Sequence, residues 1–165
     1  MEESESTKLE EVDLAILEIF SEDGRVSLRK LSERLGKSPL TIKKHVKKLE
    51  EGGVIEDYGV TINYEKLGYN IMALIEVMLH KGVIMEFKKE VSLHPNVFAV
   101  YQIADSYDAL LLVKLRSREE LSNLLETITG FKSVMRTNTH LVLNVVKEGT
   151  NFGELLEFIN EQGKI

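Results

Sequence analysis

The stretch SLRKLSERLGKSPLTIKKHVKKLEEGG, residues 27–53, contains two short helical patterns separated by a glycine. Ser27 is a residue type that caps helix starts, and leucines at helical spacing predict one apolar face behind it. Gly36 is expected to end this helix, because glycine accepts the left-handed conformation of a tight helix stop. Ser38 followed by Pro39 predicts the start of the next helix, which ends at a glycine pair. Two helices joined by about three residues have the spacing of a helix-turn-helix.

A further helical pattern precedes this stretch. Residues 13–22, DLAILEIFSE, place a broad apolar face at helical spacing, and Asp13 is predicted to be the N-cap of that helix. The sequence DGR at 23–25 then breaks the pattern. The three predicted helices together form a small helix-turn-helix domain.

The third predicted helix, PLTIKKHVKKLEE, is basic on its outer side, and its Ile42, Val46 and Leu49 are expected to face the core. The opposite side carries Thr41, Lys44, His45 and Lys48, with Lys43 and Lys47 on its flanks. Six Lys or Arg residues and no acid lie between Arg34 and Leu49. A helix of this kind fits the DNA major groove. The predicted DNA-binding residues are therefore Lys37, Ser38, Thr41, Lys43, Lys44, His45, Lys47 and Lys48. The alternative is a solvated lysine-rich surface on a helical bundle.

The basic helix contrasts with the chain as a whole, which has 165 residues and a net charge of −6. A local basic stripe still supplies the positive charge that phosphate contacts need. The sequence has no cysteine and no histidine pair at metal-ligand spacing, so we expect no metal and no catalytic residue. The first residues are acidic without an apolar core, and no apolar run reaches the roughly 20 residues that span a bilayer. We therefore expect a cytoplasmic protein without membrane contact.

Beyond Gly53 the pattern changes from helical to alternating. VIEDYGVTIN, residues 54–63, is rich in β-branched residues and predicts a strand, the wing or exit strand of a winged helix-turn-helix. The elements predicted next are a strand at 71–79, a helix at 83–94, strands at 96–104 and 109–115, a helix from the capping box at Ser117 to Gly130, and a strand at 134–146. This βαββαβ order is that of a ferredoxin-like unit.

The predicted fold is therefore α+β, with an N-terminal winged helix-turn-helix, a C-terminal ferredoxin-like βαββαβ sandwich domain and an extra C-terminal helix. The expected boundaries are an acidic flexible tail at 1–11, the DNA-binding domain at 12–62, a linker at 63–70, the sandwich domain at 71–148 and the C-terminal helix at 149–165.

Several predicted strands are apolar on both faces, although the two helices of the sandwich cover only one face of the sheet. An open apolar sheet face is usually covered by another subunit, so we expect a homodimer through this domain. The final helix has an apolar stripe formed by Phe152, Leu155, Leu156 and Ile159. It packs either on its own domain or on another subunit, and the sequence does not choose between these alternatives.

Residues 13–69 resemble the signature of the Lrp/AsnC, or feast/famine, transcription regulators. The strongest matches are DGR (23–25), LGKSP (35–39), KKLEEGGVI (47–55) and NYEKLGY (63–69). The resemblance implies a sequence-specific DNA-binding regulator that binds double-stranded DNA. It also implies that the C-terminal domains pair into dimers, that dimers assemble into tetramers or octamers, and that an amino acid modulates the protein.

In this family two loops form the effector pocket, and they correspond here to the turn 104–108 and the run into the last strand. Tyr107 and Asp108 match the family's aromatic residue and aspartate, whereas Asp105 replaces a glycine and Ser106 an aspartate. The resemblance implies an amino-acid effector, with no other cofactor, at Ala104, Asp105, Ser106, Tyr107, Asp108, Thr137, Asn138 and Thr139. The alternative is a turn with an exposed tyrosine and no ligand.

Two other functions are considered from the sequence. Siroheme decarboxylases resemble this family in fold and size, but the chain has no tryptophan and its C-terminal histidines share no motif, so an enzyme is not expected. The second is an architectural DNA-binding protein without an effector. Lysines favour phosphate contact and would suit that function, whereas Thr41 and His45 are suited to reading base edges.

Overall fold

The computed structural model describes residues 8–149 and 152–161, so most of the tail expected at 1–11 lies outside the described residues. The elements are α1 (Glu11–Glu22), α2 (Leu28–Leu35), α3 (Pro39–Glu51), a 3₁₀ turn (Glu65–Leu67), β1 (Ile71–Leu79), α4 (Ile84–Val91), β2 (Val97–Gln102), β3 (Ala109–Leu115), α5 (Arg118–Thr129), β4 (Val134–Leu141) and α6 (Phe152–Glu161). They form two compact units. One contains residues 62–147, and the other contains the described residues before and after it.

The starts of α2 and α3 confirm the predicted caps. The side chain of Ser27 accepts a hydrogen bond from the Lys30 amide, and that of Ser38 accepts one from the Thr41 amide. Gly36 ends α2 with φ +60°, the left-handed conformation that favours glycine. The turn between the two helices is thus fixed by local chemistry, and it sets α3 across α2 as in a helix-turn-helix.

The predicted N-cap of α1 is wrong. The helix begins at Glu11, with Glu10 as the N-cap, and Asp13 lies two residues inside it. The Asp13 carboxylate accepts the Glu10 amide at 2.9 Å, so it serves the helix start from within rather than from the cap position. Asp13 is also completely buried, because α1 packs this turn against α3.

An apolar core holds the N-terminal unit together. Its buried members come from all three helices and the α1–α2 turn, and they are Ile16, Val26, Leu31, Ile42, Val46 and Leu49. The last three of these are the α3 residues that the helical spacing assigned to the core. The helix α6 belongs to this same unit and contacts α1, with its Phe152 beside Leu17 and Phe20 along one groove.

The strand predicted at 54–63 does not form in the described structure. The Val54 and Ile55 amides both bond to the Leu49 carbonyl and close the end of α3, so they are not available to a strand ladder. Further on, Tyr58 packs edge-on against Phe20 and its hydroxyl donates to a Glu50 carboxylate oxygen at 3.0 Å. Alternating apolar residues make a strand only when a neighbouring strand pairs with them, and this segment has none among the described residues.

The C-terminal unit is one four-stranded antiparallel sheet in the order β2-β3-β1-β4. This confirms the predicted ferredoxin-like order, and β1 and β3 have the predicted bounds. The helix α4 is shorter than predicted, and β4 ends at Leu141 instead of residue 146. It ends there because Leu141 pairs with Ala73, near the start of β1, and the chain beyond soon runs past its partner strand.

Burial alternates along the two central strands, as expected for a sheet covered on one side. The covered face and the helices on it form one apolar core. Its buried residues are Ala73, Ile75, Val77, Leu79, Phe87, Val91, Ala109, Leu111, Val113, Leu115, Leu121, Leu124 and Ile128. The other face, called here the open face, alternates with these and carries Met72, Leu74, Glu76, Met78, Leu110, Leu112, Lys114, Arg136, Asn138 and His140. None of the helices described is both long and apolar enough to cross a membrane.

Candidate nucleic-acid interface and effector site

The solvent side of α3 is basic. Lys43, Lys44 and Lys47 are exposed there, on the side of the helix away from the buried Ile42, Val46 and Leu49. Leu40 lies beside them with 78% of its surface accessible. Lys47 is 3.4 Å from Glu51, but both side chains are 67% exposed, so this ion pair is weak and easily exchanged for a phosphate. These lysines form an exposed basic surface of the kind that phosphate contacts require.

The start of α3 is organised around Ser38 and Thr41. The Ser38 hydroxyl accepts the Thr41 amide at 3.1 Å and lies 2.8 Å from the Thr41 hydroxyl. Thr41 is partly exposed, and its hydroxyl contacts the Ser38 side chain that caps the helix. Lys37 lies in the exposed turn just before them, where its side chain is open to solvent.

Contrary to the expectation from helical spacing, His45 and Lys48 do not lie on the outer side of α3. His45 Nδ1 lies 2.7 Å from Asp13 Oδ1, and Lys48 Nζ donates to Asp13 Oδ2 at 2.7 Å. The His45 side chain is only 14% exposed. Both residues therefore face α1. They are separated by three positions, which places them on one side of the helix, at the flank of its buried face.

The charges in this cluster compensate one another. Burial raises the pKa of Asp13, but bonds from Lys48, the Glu10 amide and His45 outweigh it and hold that pKa below its usual value. The same contacts raise the pKa of Lys48, first through Asp13 and then through Glu10, whose carboxylate is 3.1 Å from Nζ. Glu10, Asp13 and His45 also place three potential metal ligands within 4.8 Å, but the Lys48 ammonium already bonds to two of them.

The turn predicted to bind an effector is anchored to the sheet at two points. The Asp108 carboxylate accepts the Leu79 amide at 2.8 Å, so it is used in closing the turn onto β1. The Tyr107 hydroxyl accepts a bond from Arg136 of β4 at 2.8 Å, and the Arg136 guanidinium lies 5.3 Å from the Tyr107 ring centre. The turn residues Ala104, Asp105 and Ser106 are exposed.

The structure does not bring the three predicted β4 residues to one surface. Asn138 lies on the open face, where its amide donates to Glu76 at 2.8 Å and contacts His140. Thr137 and Thr139 alternate with it and face the other way. Arg136, which begins the same run but was not among the predicted effector residues, contacts the turn through Tyr107.

A small cavity of about 280 Å³ lies beside this turn. It is lined by Leu79, His80, Lys81, Gly82, Ile84, Gln102 and Asp108. Only Asp108 among the predicted effector residues borders it. The other lining residues lie between the end of β1 and the start of α4 and at the end of β2, so they come together only in the folded sheet and no local pattern pointed to them.

The sequence interpretation also missed Asp13 as a buried partner of α3. The signal was present, because Asp13 is three residues before Ile16 and thus on the apolar side of its helix. A carboxylate on a buried face needs a hydrogen-bonding or charged partner.

Each of the two units matches a known protein family. Residues 9–56 match the model for a winged helix-turn-helix DNA-binding domain, and residues 72–152 match the model for the Lrp/AsnC ligand binding domain. An uncharacterized HTH-type transcriptional regulator of Pyrococcus furiosus is 35% identical over 141 residues, covering 86% of this chain and 95% of that protein.

Two solved structures have the same fold over most of the chain. LrpC of B. subtilis is 26% identical with a TM-score of 0.79, and the match covers 87% of this chain and 100% of that one. A transcriptional regulator of Neisseria meningitidis in complex with L-Met is also 26% identical, with a TM-score of 0.82 and coverages of 87% and 96%. These relatives are regulators, which confirms the prediction that the chain is not an enzyme.

Proposed function

Because the chain belongs to the Lrp/AsnC family of DNA-binding transcription regulators, we propose that it recognises specific duplex sequences with α3, works as an oligomer and responds to an amino acid. The observation that carries the proposal is the exposed lysine surface of α3, presented by a capped helix-turn-helix on an otherwise acidic chain. Acidic surfaces repel DNA, so this surface defines the side that docks.

The proposed contacts divide by chemistry. Lys43, Lys44 and Lys47 are exposed and neutralise phosphates, and Lys37 extends this surface at the turn. Ser38 and Thr41 lie at the start of α3, the end of a recognition helix that meets base edges. His45 and Lys48 contribute to the interface by holding α3 on α1 rather than by touching DNA.

A homodimer is proposed through the open face of the sheet. Leu74, Leu110 and Leu112 adjoin one another in the strand register and are only partly covered within the chain. Burying apolar area of this kind is what drives association. Dimers of this type are proposed to assemble further into tetramers or octamers.

An amino acid is the proposed effector, bound near the turn 104–108. The similar regulator from Neisseria meningitidis was solved with L-Met, and residues 72–152 of this chain match the Lrp/AsnC ligand binding domain. In this chain Arg136, Lys81 and Asp108 offer charges of both signs around the turn and its cavity. Opposite charges suit a zwitterion, whose carboxylate and ammonium need separate partners.

The DNA proposal is tested with a labelled duplex from upstream of the protein's own gene and an unrelated duplex, titrated with protein over a salt series. Tight, salt-sensitive and selective binding is expected. Equal binding to both duplexes would favour the architectural function, which the lysine-dominated surface also suits, and no binding at low salt would overturn the proposal.

The effector proposal is tested by isothermal titration of the folded oligomer with a panel of amino acids. Heat from one member that disappears in Arg136→Ala is expected. The absence of heat from every amino acid would leave the turn without a ligand and would not affect the DNA proposal.

A further inference from the structure

One completely buried carboxylate joins α1 to the DNA-facing helix. Asp13 Oδ1 lies 2.7 Å from His45 Nδ1, and Oδ2 accepts Lys48 Nζ at 2.7 Å and the Glu10 amide at 2.9 Å. Two of these three bonds come from α3, at positions almost one helical turn apart. The carboxylate is itself held by the backbone of the α1 start, so both ends of the connection are fixed.

These helices also share apolar contacts, in addition to the 3.1 Å ion pair between Lys48 and Glu10, the N-cap of α1. Ile42, Val46 and Leu49 pack into the shared core, and hydrophobic packing is non-directional. Such contacts keep α3 on the domain but tolerate a small roll about its own axis. Hydrogen bonds are directional and weaken steeply once their angle or length changes. The bonds to Asp13 therefore restrict the rotation of α3 about its own axis that the apolar core would allow.

The angle by which α3 can roll decides how far its side chains move relative to the bases that they would contact. Side-chain tips on a helix lie about 5–6 Å from its axis, so a roll of about 20° moves them by about 2 Å. Hydrogen bonds to base edges are confined to donor–acceptor distances of about 2.7–3.2 Å. A lysine can follow a phosphate over such a displacement, because its long stem has several rotatable bonds, whereas a short side chain at the helix start cannot follow a base edge.

We propose that Asp13 is a positioning residue for DNA selection, acting through His45 and Lys48 to fix the roll of α3. The inference rests on the proposed function, since it takes α3 as the helix that reads DNA. Asp13 itself touches no DNA. It affects selectivity between sequences much more than attraction to phosphate.

The test is Asp13→Asn, which keeps the shape of the side chain, removes its charge and replaces one acceptor oxygen by a donor. A duplex enriched by the wild-type protein from a randomised pool is compared with a scrambled duplex of the same composition. We expect the ratio of the two affinities to fall at least tenfold, while the affinity for the scrambled duplex changes less than twofold. Lys48→Met, which retains the stem but loses the ammonium, should lower the ratio in the same direction by a smaller factor.

The matched control is Ile16→Val, which loosens the same α1 core without touching the polar cluster. Loss of folded protein lowers both affinities together and leaves their ratio unchanged, so the control should show an unaltered ratio. If Asp13→Asn left the ratio of the two affinities unaltered, whether or not both affinities fell together, the inference would be overturned.

A distance measurement without DNA provides the second readout. The chain has no cysteine, so spin labels can be attached at Glu11→Cys on α1 and Glu51→Cys on α3, diluted with unlabelled protein. The distance distribution should broaden in Asp13→Asn and stay narrow in Ile16→Val, and equal widths would overturn the positioning of α3 by Asp13. If the wild-type protein enriches no sequence from the pool, the proposed function as a selective regulator is wrong. The width of the distance distribution still shows whether Asp13 positions α3.

Discussion

Glu76 Oε2 lies 3.0 Å from His140 Nε2 on the open face of the sheet. The same oxygen accepts the Asn138 amide at 2.8 Å, and Glu76 is directly opposite Asn138 in the β1–β4 register and Leu110 in the β1–β3 register. A polar cluster therefore lies next to the apolar surface that we propose for dimerisation. Because a buried charge needs a partner, the cluster constrains which surfaces can be placed against it.

The first prediction concerns Glu76→Gln. Hydrogen bonds from His140 and then Asn138 lower the pKa of Glu76 below its ordinary value of 4.5. A lowered folded-state pKa means that the interaction stabilises the fold fully above the ordinary pKa and is lost as the pH falls through the lowered one. The unfolding midpoint in urea should therefore decline less steeply below about pH 5 in Glu76→Gln than in the wild type.

The control for that experiment is Glu126→Gln on the exposed side of α5, which makes the same change of charge outside the cluster. Its acid profile should follow the wild type. Identical profiles for all three proteins would show that the Glu76 contacts contribute nothing to acid stability.

The second prediction concerns Leu112→Glu. Leu112 adjoins Leu74 in the strand register on the open face, so a carboxylate there would have to be desolvated when two such faces pair. Sedimentation should show that the variant is a monomer, and its circular dichroism spectrum should match that of the wild type. The control is Leu143→Glu, at a side chain 97% exposed beyond the end of β4, which should leave assembly unchanged. A dimer that survives Leu112→Glu would move the interface elsewhere.

The third prediction concerns the turn between α2 and α3. Gly36 has φ +60°, which a side chain disfavours by about 1–2 kcal/mol, although an added Cβ would meet nothing within 4 Å. Gly36→Ala should lower the free energy of unfolding by about that amount. Gly59→Ala, at a glycine with equal space but no positive φ, is the control and should change stability by less than about 0.5 kcal/mol. Equal effects of the two substitutions would mean that backbone conformation is not the cause.

Local signals explain which parts of the fold could be predicted. Ser27, Gly36 and Ser38 act on backbone groups within four residues of themselves, so their effect is visible in the sequence. The central strands β1 and β3 were also predictable, because each is a short, almost continuous apolar run. The segment 54–63 alternates apolar and polar residues, but strand formation depends on a partner that lies elsewhere, and here its first amides bond to the Leu49 carbonyl instead.

The same distinction applies to the candidate site. The exposed lysines of α3 followed from its helical period, because that period alone separates the buried side from the solvent side. The prediction that His45 and Lys48 lie on the outer side was wrong, since their orientation depends on Asp13, which is 32 and 35 residues away from them. The contact of Arg136 with Tyr107 likewise joins residues 29 positions apart and needs the sheet register to become visible.

The last prediction separates the two kinds of lysine on α3. Lys44 is exposed on the outer side, whereas the Lys48 ammonium is bonded to Asp13 and Glu10. For binding to an unrelated duplex, Lys44→Ala should reduce the slope of log affinity against log salt by about 0.9 for each phosphate that the protein no longer neutralises. Lys48→Met should leave that slope unchanged, because its charge is already compensated within the protein. A reduced slope in Lys48→Met and a wild-type slope in Lys44→Ala would reverse the assignment, and the DNA would then approach α3 from the side of α1.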